Sequence, residues 1–381
     1  MAAKSFLDME SACPNKDRCG SCGWSHIPYK KQLEQKLSDI NGSFKLHGID
    51  QKVIEIFPSP KTEHYRNRMD FVIDFKGQFG LREKGKWWRV IDGNKCFIAD
   101  EQIGELFDNI SKWIATSGLD FFDRKSHSGF LRYAVVRASL HGQTLINIVT
   151  SAPKDENLAY RAFAGLNSQA GPSTLIWTIN NTVSDVSFGD EERVISGSGF
   201  IEEKISGFTY RISPQAFFQT NSHAAPFLLE TVKQFTGNLS EKTLLDLYCG
   251  TGFFSVPLAK QAKKTYGLEM VETAIADAKI NAGLNGSNAE YSVAKVEQMN
   301  LAEYSADVVI VDPPRSGMHD DALSELMRAM PETIIYVSCN YKSIARELGI
   351  FKKAYDIDSI RAIDMFPHTP HVELVVKLAR K

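Results

Sequence analysis

The stretch that decides the fold is "DLYCGTGFFS", Asp246 to Ser255. It joins an apolar strand, "TLLDLYC", through a glycine turn to a helix-like piece, "FFSVPLAKQA". The same rhythm continues downstream. "TYGLE" reads as a strand and "ETAIADAKINAGLNG" as a helix closed by Gly286. "ADVVIVDPP" and "TIIYVSC" are further strands, each followed by a helix, and "IRAIDMFPHTPHVELVVKLAR" reads as two strands around a Pro-rich loop. This alternation gives an α/β fold with a doubly wound, mostly parallel sheet, whose ligands lie at the carboxyl ends of the strands.

Upstream the pattern changes. "NRMDFVIDF", "RYAVVRASL" and "TLINIVTSA" are strand-like and "DEQIGELFDNISKWIATSG" is helix-like, which predicts an α+β domain. Before it stands a cysteine-rich head, "CPNKDRCGSCGW", followed by "YKKQLEQKLSDI" with Leu33, Leu37 and Ile40 on one helical face. The expected organisation is a head over residues 1–50, a central domain over 51–220 and a C-terminal domain over 221–381.

Bulk properties exclude rather than assign. The chain has 381 residues, 43% hydrophobic and 24% charged, as in ordinary globular proteins. A net charge of -2 rules out a polycation and leaves nucleic acid possible only through local basic clusters. Neither the start, "MAAKSFLDMESACP", nor any other segment has the apolar run of a signal peptide or membrane span, so the cytoplasm is expected. Thiols there are reduced, and the six cysteines point to metal binding or chemistry rather than disulfides.

Gly250 and Gly252 allow backbone to come close to a ligand. Where a dinucleotide fold places a third glycine for pyrophosphate, this chain has Phe253 and Phe254, so the loop suits a ligand without phosphate. Glu269, ending "YGLE", can accept both hydroxyls of a ribose. Together these features fit S-adenosylmethionine (SAM); the plainer alternative is a tight turn beside a solvated glutamate. Cys249 reads as a small buried residue. "DPPRSG" ends the fourth strand in a stiff turn that can hold Asp312 and Arg315 over the cofactor.

Cys339, in "IIYVSCNYKS", ends the next strand on the same edge. It is either a packed thiol or a nucleophile. Methyl transfer to an amine needs no thiol, but carbon 5 of a pyrimidine does. A thiolate adding to carbon 6 makes carbon 5 nucleophilic, and a base must then remove the carbon 5 proton. "PHVELVV" offers Glu373 as that base, with His371 on the same side by alternation.

"SPQAFFQTN", "DLYCGTGFFS", "VDPPRSG", "YVSCNYKSIARE" and "FPHTPHVELVV" occur in an order and spacing that resemble the RNA uracil-5-methyltransferases of the TrmA/RlmC/RlmD family. The resemblance covers nearly the whole chain. It implies a Rossmann-like methyltransferase domain with an antiparallel last strand. It further implies Cys339 as nucleophile, Glu373 as base, and SAM contacts from Gln219, Tyr248, Glu269 and Asp312. Some members carry Asn at the place of Phe253.

Cys13, Cys19 and Cys22 are spaced C-x5-C-x2-C, and Cys96 stands far along the chain. Four thiolates can hold zinc or an iron–sulfur cluster, and a close triplet with a distant fourth suits a cubane better. The resemblance implies a 4Fe-4S cluster with a clipping rather than redox role. "FGLREKGKWWRV" interleaves Arg82, Lys84, Lys86 and Arg89 with Trp87 and Trp88. With Arg66, Arg68, Arg132 and Arg137, these are candidates for binding RNA, against the alternative of a solvated hairpin with core tryptophans. A methylated base must leave its stack, and Phe217 or Phe218 could line its pocket.

Only twelve residues precede Cys13, leaving no room for the TRAM barrel of RlmD-like members. A cluster without that barrel resembles RlmC, which implies 23S ribosomal RNA, with the T-loop uridine of tRNA as the alternative. Two other readings stay open: methylation of an amine, and a non-catalytic iron–sulfur RNA-binding protein.

Overall fold

The computed structural model describes residues 13–381. The initial twelve residues, on which the expectation of no signal-like run partly rests, lie outside that range. In chain order, the head leads to α1 (Tyr29–Leu46) and a two-residue strand, β1 (Ile56–Phe57). Next come β2 (Arg68–Ile73), β3 (Phe79–Glu83), β4 (Lys86–Asp92), α2 (Glu101–Thr116), β5 (Leu131–Ala138) and β6 (Thr144–Thr150). They are followed by α3 (Glu156–Ala170), β7 (Thr174–Ile179), β8 (Glu191–Ser196) and a hairpin of β9 (Ile201–Ile205) and β10 (Phe208–Ile212).

The C-terminal elements are α4 (Ala225–Thr236), β11 (Thr243–Leu247), α5 (Ser255–Ala259), β12 (Lys264–Glu269), α6 (Glu272–Leu284) and β13 (Glu290–Val293). Then follow β14 (Val308–Val311), α7 (Asp320–Ala329), β15 (Thr333–Ser338), α8 (Tyr341–Phe351), β16 (Tyr355–Ile363) and β17 (Glu373–Arg380).

The central sheet runs β4-β3-β2-β5-β6-β7-β8. Its pairs are antiparallel except β6 with β7, which α3 connects. Helix α2 starts at Asp100, whose carboxylate accepts from Gln102 N, and buries Ile103, Leu106, Phe107, Ile110, Trp113 and Ile114 along one face. Asp155 caps α3 in the same way, and Gly171 ends it in the left-handed conformation.

The C-terminal sheet runs β1-β16-β17-β15-β14-β11-β12-β13. Strands β11 to β15 are mutually parallel where they pair, whereas β17 is antiparallel to both neighbours. The mixed α/β fold therefore carries the reversed last strand that the sequence led us to expect. From β11 the chain builds outward through β12 and β13, then returns to add β14 on the other side. In such sheets ligands bind outside the carboxyl ends of the strands flanking that reversal, here β11 and β14. Two earlier segments join this unit: β1 extends the sheet beside β16, and the β9–β10 hairpin packs on α6 in the same apolar core. Helix α5 is shorter than "FFSVPLAKQA" suggests, because Phe253 and Phe254 belong to the turn before it and are buried.

Candidate active site

The loop leaving β11 is shaped by three residues with positive φ: Tyr248 at 62°, Gly250 at 52° and Gly252 at 83°. Glycine is required at 252 by space as well as φ, since a Cβ there would stand 2.7 Å from Tyr291 Oη. For Tyr248 the left-handed conformation is strained, the kind of strain that accumulates at ligand sites. Below the loop, Asp246 is fully buried; its Oδ2 accepts from Ser255 N at 3.2 Å and its Oδ1 has no partner. Burial pushes this carboxyl up to about 7, against the hydrogen bonds from Ser255. Phe253 and Phe254 are core aromatics, and Phe253 packs edge-on against Phe218. Glu269 ends β12 beside it, one carboxylate oxygen accepting from Val271 N at 3.0 Å.

Asp312 follows β14, and its backbone N–H donates to Leu247 O at 3.4 Å, so the "DPPR" turn and the glycine loop adjoin. Burial pushes the Asp312 carboxyl up to about 8, with the charge of Asp246 adding to it. The turn is also tied to the thiol loop: Arg315 O accepts from Asn340 Nδ2 at 2.8 Å and from Ser343 Oγ at 3.0 Å. Asn340 caps α8 with its side-chain oxygen on Lys342 N, fixing the residue after Cys339.

Cys339 thus stands at the end of β15 between Asp312 and Glu373. Burial pushes its thiol up to about 12, the charges of Glu373 and Asp312 add to this, and the Arg315 guanidinium, hydrogen-bonded to the thiol, opposes it. Glu373 is buried at the start of β17, and its carboxyl is held well above the usual range by burial and then by Asp312, with Arg315 opposing. His371 is pushed down to about 4 by burial and by Arg315, Lys36 and Arg66, which leaves it neutral near pH 7.

In front of this edge lies a cleft of about 600 Å³, lined by Arg66, Arg68, Phe188, Phe217, Arg315 and His371 among others. Phe217 is 64% exposed and presents its ring to the cleft, whereas Phe218 is 2% exposed and packs on Tyr210 and Phe253. Gln219 is buried two residues on, its carbonyl accepting from Asn67 Nδ2 at 2.9 Å. Phe188, exposed on the cleft wall, was missed in sequence; "SFGD" carries no periodic signal, and only the tertiary fold brings it there.

The basic candidates divide. Arg132 is buried, donating to Asn180 O and Thr182 O over the ring of Phe122, and so braces a loop rather than meeting RNA. Arg137 is likewise buried and donates to Ala216 O, holding the segment that carries Phe217. Those two expected contacts are corrected: carbonyls take part of each guanidinium's protons, while the Nε of each is buried without a partner. Arg66 and Arg68 reach the cleft, although Arg68 is paired with Asp70 at 2.8 Å. Trp87 and Trp88, on β4, are 60% and 57% exposed, so they are not core tryptophans. Around them Arg82 pairs with Asp185 at 2.5 Å, while Arg89 and Arg18 reach Glu83 at 3.4 and 3.8 Å, and Lys86 also pairs with Glu83. Lys84 is exposed.

In the head, Cys19 and Cys22 are buried and Cys13 half-buried, and Cys96 of the central region is half-buried beside them. The four interact: Cys22 hydrogen-bonds Cys96 and feels the charges of Cys19 and Cys13, while Cys13 feels those of Cys96 and Cys19. The Cys22 bond, with the backbone N–H groups of Ile98 and Ala99, draws the Cys96 thiol down to about 7, against its burial. Among the described residues, no group of three or more His, Cys, Asp or Glu side chains is arranged to hold a metal ion. No helix among them is long and apolar enough to cross a membrane.

A glycine loop without a phosphate cradle, and a thiol and carboxyl beside it, define a methyltransferase-type site on a doubly wound sheet. Comparison with known proteins makes this specific. The family described as tRNA (Uracil-5-)-methyltransferase matches residues 182–291 and 285–381. An uncharacterized RNA methyltransferase of Caldanaerobacter subterraneus subsp. tengcongensis is 38% identical over 384 residues, covering 98% of this chain and 85% of its own. The tRNA (uracil(54)-C(5))-methyltransferase of Pyrococcus horikoshii is 38% identical over 374 residues, covering 98% and 86%. The crystal structure of Pyrococcus abyssi tRNA (uracil-54, C5)-methyltransferase in complex with S-adenosyl-L-homocysteine superposes with a TM-score of 0.80 at 35% identity, covering 95% and 86%. The chain belongs to the RNA uracil-5-methyltransferase family.

Proposed function

We propose that this protein methylates carbon 5 of a uridine in RNA, with SAM as methyl donor and Cys339 as covalent catalyst. The observation that carries the reading is the meeting of Cys339, Arg315 and Glu373 beside the glycine loop. Arg315 stabilises the Cys339 thiolate, which adds to carbon 6 of the flipped uracil and leaves an enolate across carbon 5 and oxygen 4. Carbon 5 attacks the sulfonium methyl of SAM, whose S–C bond breaks to leave S-adenosylhomocysteine as a neutral thioether. Glu373, ionised for this step, removes the carbon 5 proton, and the electron pair expels Cys339 as thiolate. Gly250, Gly252, Tyr248, Glu269, Asp312 and Gln219 are the residues we assign to SAM; the strained loop and the unpartnered Asp246 oxygen support a ligand there.

For the RNA, 23S ribosomal RNA gives way to its alternative. Relatives from P. horikoshii and P. furiosus that cover 98% and 97% of this chain are named tRNA (uracil(54)-C(5))-methyltransferases. We therefore assign the T-loop uridine of tRNA as substrate, in the cytoplasm. The mutual contacts of Cys13, Cys19, Cys22 and Cys96, and the N–H groups aimed at Cys96, support a cluster held by four thiolates; a cubane spreads its ligands more widely than one ion does. Such a 4Fe-4S group would cross-link the head to the central domain.

The deciding experiment incubates tRNA and 23S rRNA transcripts with methyl-labelled SAM and maps 5-methyluridine. Label in tRNA alone is the expected result. Label in rRNA alone returns the substrate to ribosomal RNA, and no 5-methyluridine in either overturns the reading.

A further inference from the structure

The loop of residues 364–372, which joins β16 to β17 and delivers His371 and Glu373 to the site, is gripped from outside its own sheet. Four consecutive carbonyls are each taken by a different segment. Met365 O accepts from Asn221 Nδ2 at 3.0 Å and Phe366 O from Lys36 Nζ at 3.1 Å. Pro367 O accepts from Tyr65 Oη at 2.9 Å, and His368 O from the backbone N–H of Trp24, two residues past Cys22, at 3.0 Å.

Helix α1 supplies the strongest hold. Lys36 and Asp364 form an ion pair at 2.7 Å with both side chains fully buried. One turn earlier Gln32, also fully buried, accepts from His368 N at 2.7 Å and lies 3.0 Å from His368 Nδ1. His368 itself is held at a positive φ of 66°. Gln32 and Lys36 occupy positions in the α1 stripe where Ile40 and Phe44 continue as plain core. Buried polar groups at such places specify one arrangement rather than add stability.

The nucleophile arm has anchors of its own, and α1 reaches it through Ser43 Oγ, which donates to Tyr341 O at 3.5 Å. Arg315 and Cys339 are tied through Asn340 and Ser343, and the "DPPRSG" turn through Glu347, which accepts from Met318 N and Tyr336 Oη. Apart from Ser43, none of these groups belongs to α1 or the head.

We propose that Gln32, Lys36 and Asp364 are positioning residues for Glu373: α1 latches the β16–β17 loop so that the base meets the carbon 5 proton. The inference rests on the function proposed above. Its signature is a split between the two halves of the reaction. Loosening the latch leaves thiol addition and methyl transfer running and slows proton removal, so a methylated RNA–protein adduct accumulates.

The test compares the full-length enzyme with Gln32→Leu and with the double variant Lys36→Met/Asp364→Leu, which replaces the ion pair by apolar groups of similar volume. A T-arm RNA transcript and methyl-labelled SAM are used. Label is followed in free RNA and in denaturant-stable protein–RNA conjugate, with Glu373→Gln as control. The expected result is first-turnover methyl transfer within about threefold of the parent and release slowed by roughly tenfold or more. Methyl transfer and release falling together, or release unchanged, overturns the latch. If both variants fail to fold, α1 is only a strut and the positioning role is likewise overturned. Failure of Glu373→Gln itself to accumulate conjugate sinks the assignment of Glu373 as base, a different result from latch variants that behave like the parent.

Discussion

Cys339 and Glu373 meet because their strands run in opposite directions. The β15–β17 register pairs Ser338 with Leu374, and one further step brings residue 339 opposite residue 373. The end of one strand and the start of the other thus share the ligand-binding edge. A parallel β17 would carry its first residue to the opposite edge, about 25 Å away for eight residues. The reversed strand puts a carboxyl beside a thiol on a fold whose other strands present their carboxyl ends.

The two residues differ in what their loss does. Cys339→Ala is expected to lose turnover by about 10⁴-fold or more, and to form no conjugate with 5-fluorouridine-containing RNA. Glu373→Gln is expected to form the conjugate yet release methylated RNA roughly 10²–10⁴-fold more slowly. Gel electrophoresis under denaturing conditions separates these outcomes.

Arg315 opposes burial at the Cys339 thiol, so its removal moves the thiol further from ionisation. Because the thiol is pushed up to about 12, the rate of conjugate formation is expected to rise with pH across the neutral range. Arg315→Met should keep that slope and lower the rate by about tenfold at each pH, the size of a charge-assisted hydrogen bond at a partly open site. Conjugate formation measured between pH 6 and 9 checks both statements.

Asp312 makes stability depend on pH. Its folded value of about 8 lies above that of an unfolded aspartate, so the fold binds a proton that the unfolded chain releases. The contribution is fully present below about pH 4 and is lost as pH rises through about 8. Asp312→Asn, without SAM, is expected to be more stable than the parent at pH 8 by up to a few kcal/mol, with the gap closing toward pH 5. Denaturant unfolding at the two pH values measures it, and SAM affinity should fall in the same variant.

Phe217 and Phe218 are adjacent and opposite in role. Phe217→Ala should weaken RNA binding by roughly 10–100-fold, the loss of one base stack, while leaving thermal stability and SAM binding in place. Phe218→Ala removes a ring from the core and should cost about 3–5 kcal/mol of stability. Binding titrations alongside melting curves distinguish them.

Cys13, Cys19, Cys22 and Cys96 set a further expectation. Anaerobically purified protein should be brown, and chelation or Cys22→Ala should bleach it and lower the melting temperature. A colourless protein with tightly bound zinc would contradict the cluster.

Much of this was written in local pattern. The strand–glycine–helix rhythm from Thr243 onward fixes a doubly wound sheet, because buried parallel strands and their covering helices each leave a periodic apolar signature. Gly250, Gly252, Glu269, Asp312 and Cys339 could be proposed from sequence because each follows or ends a parallel strand and so falls on one edge, and Glu373 because it opens the strand that reverses there. The tertiary structure alone decided what depends on contacts distant in sequence. Arg132 and Arg137 look like RNA-binding cations in "LRYAVVR", yet carbonyls nearly fifty or more residues away turn them into internal braces. Gln32 and Lys36 look like the solvated side of an amphipathic helix until the 364–372 loop, over 300 residues further on, buries them. Sequence periodicity reports which face of an element is apolar; it carries no record of the partner that satisfies a polar group, and that partner is set only when the chain closes on itself.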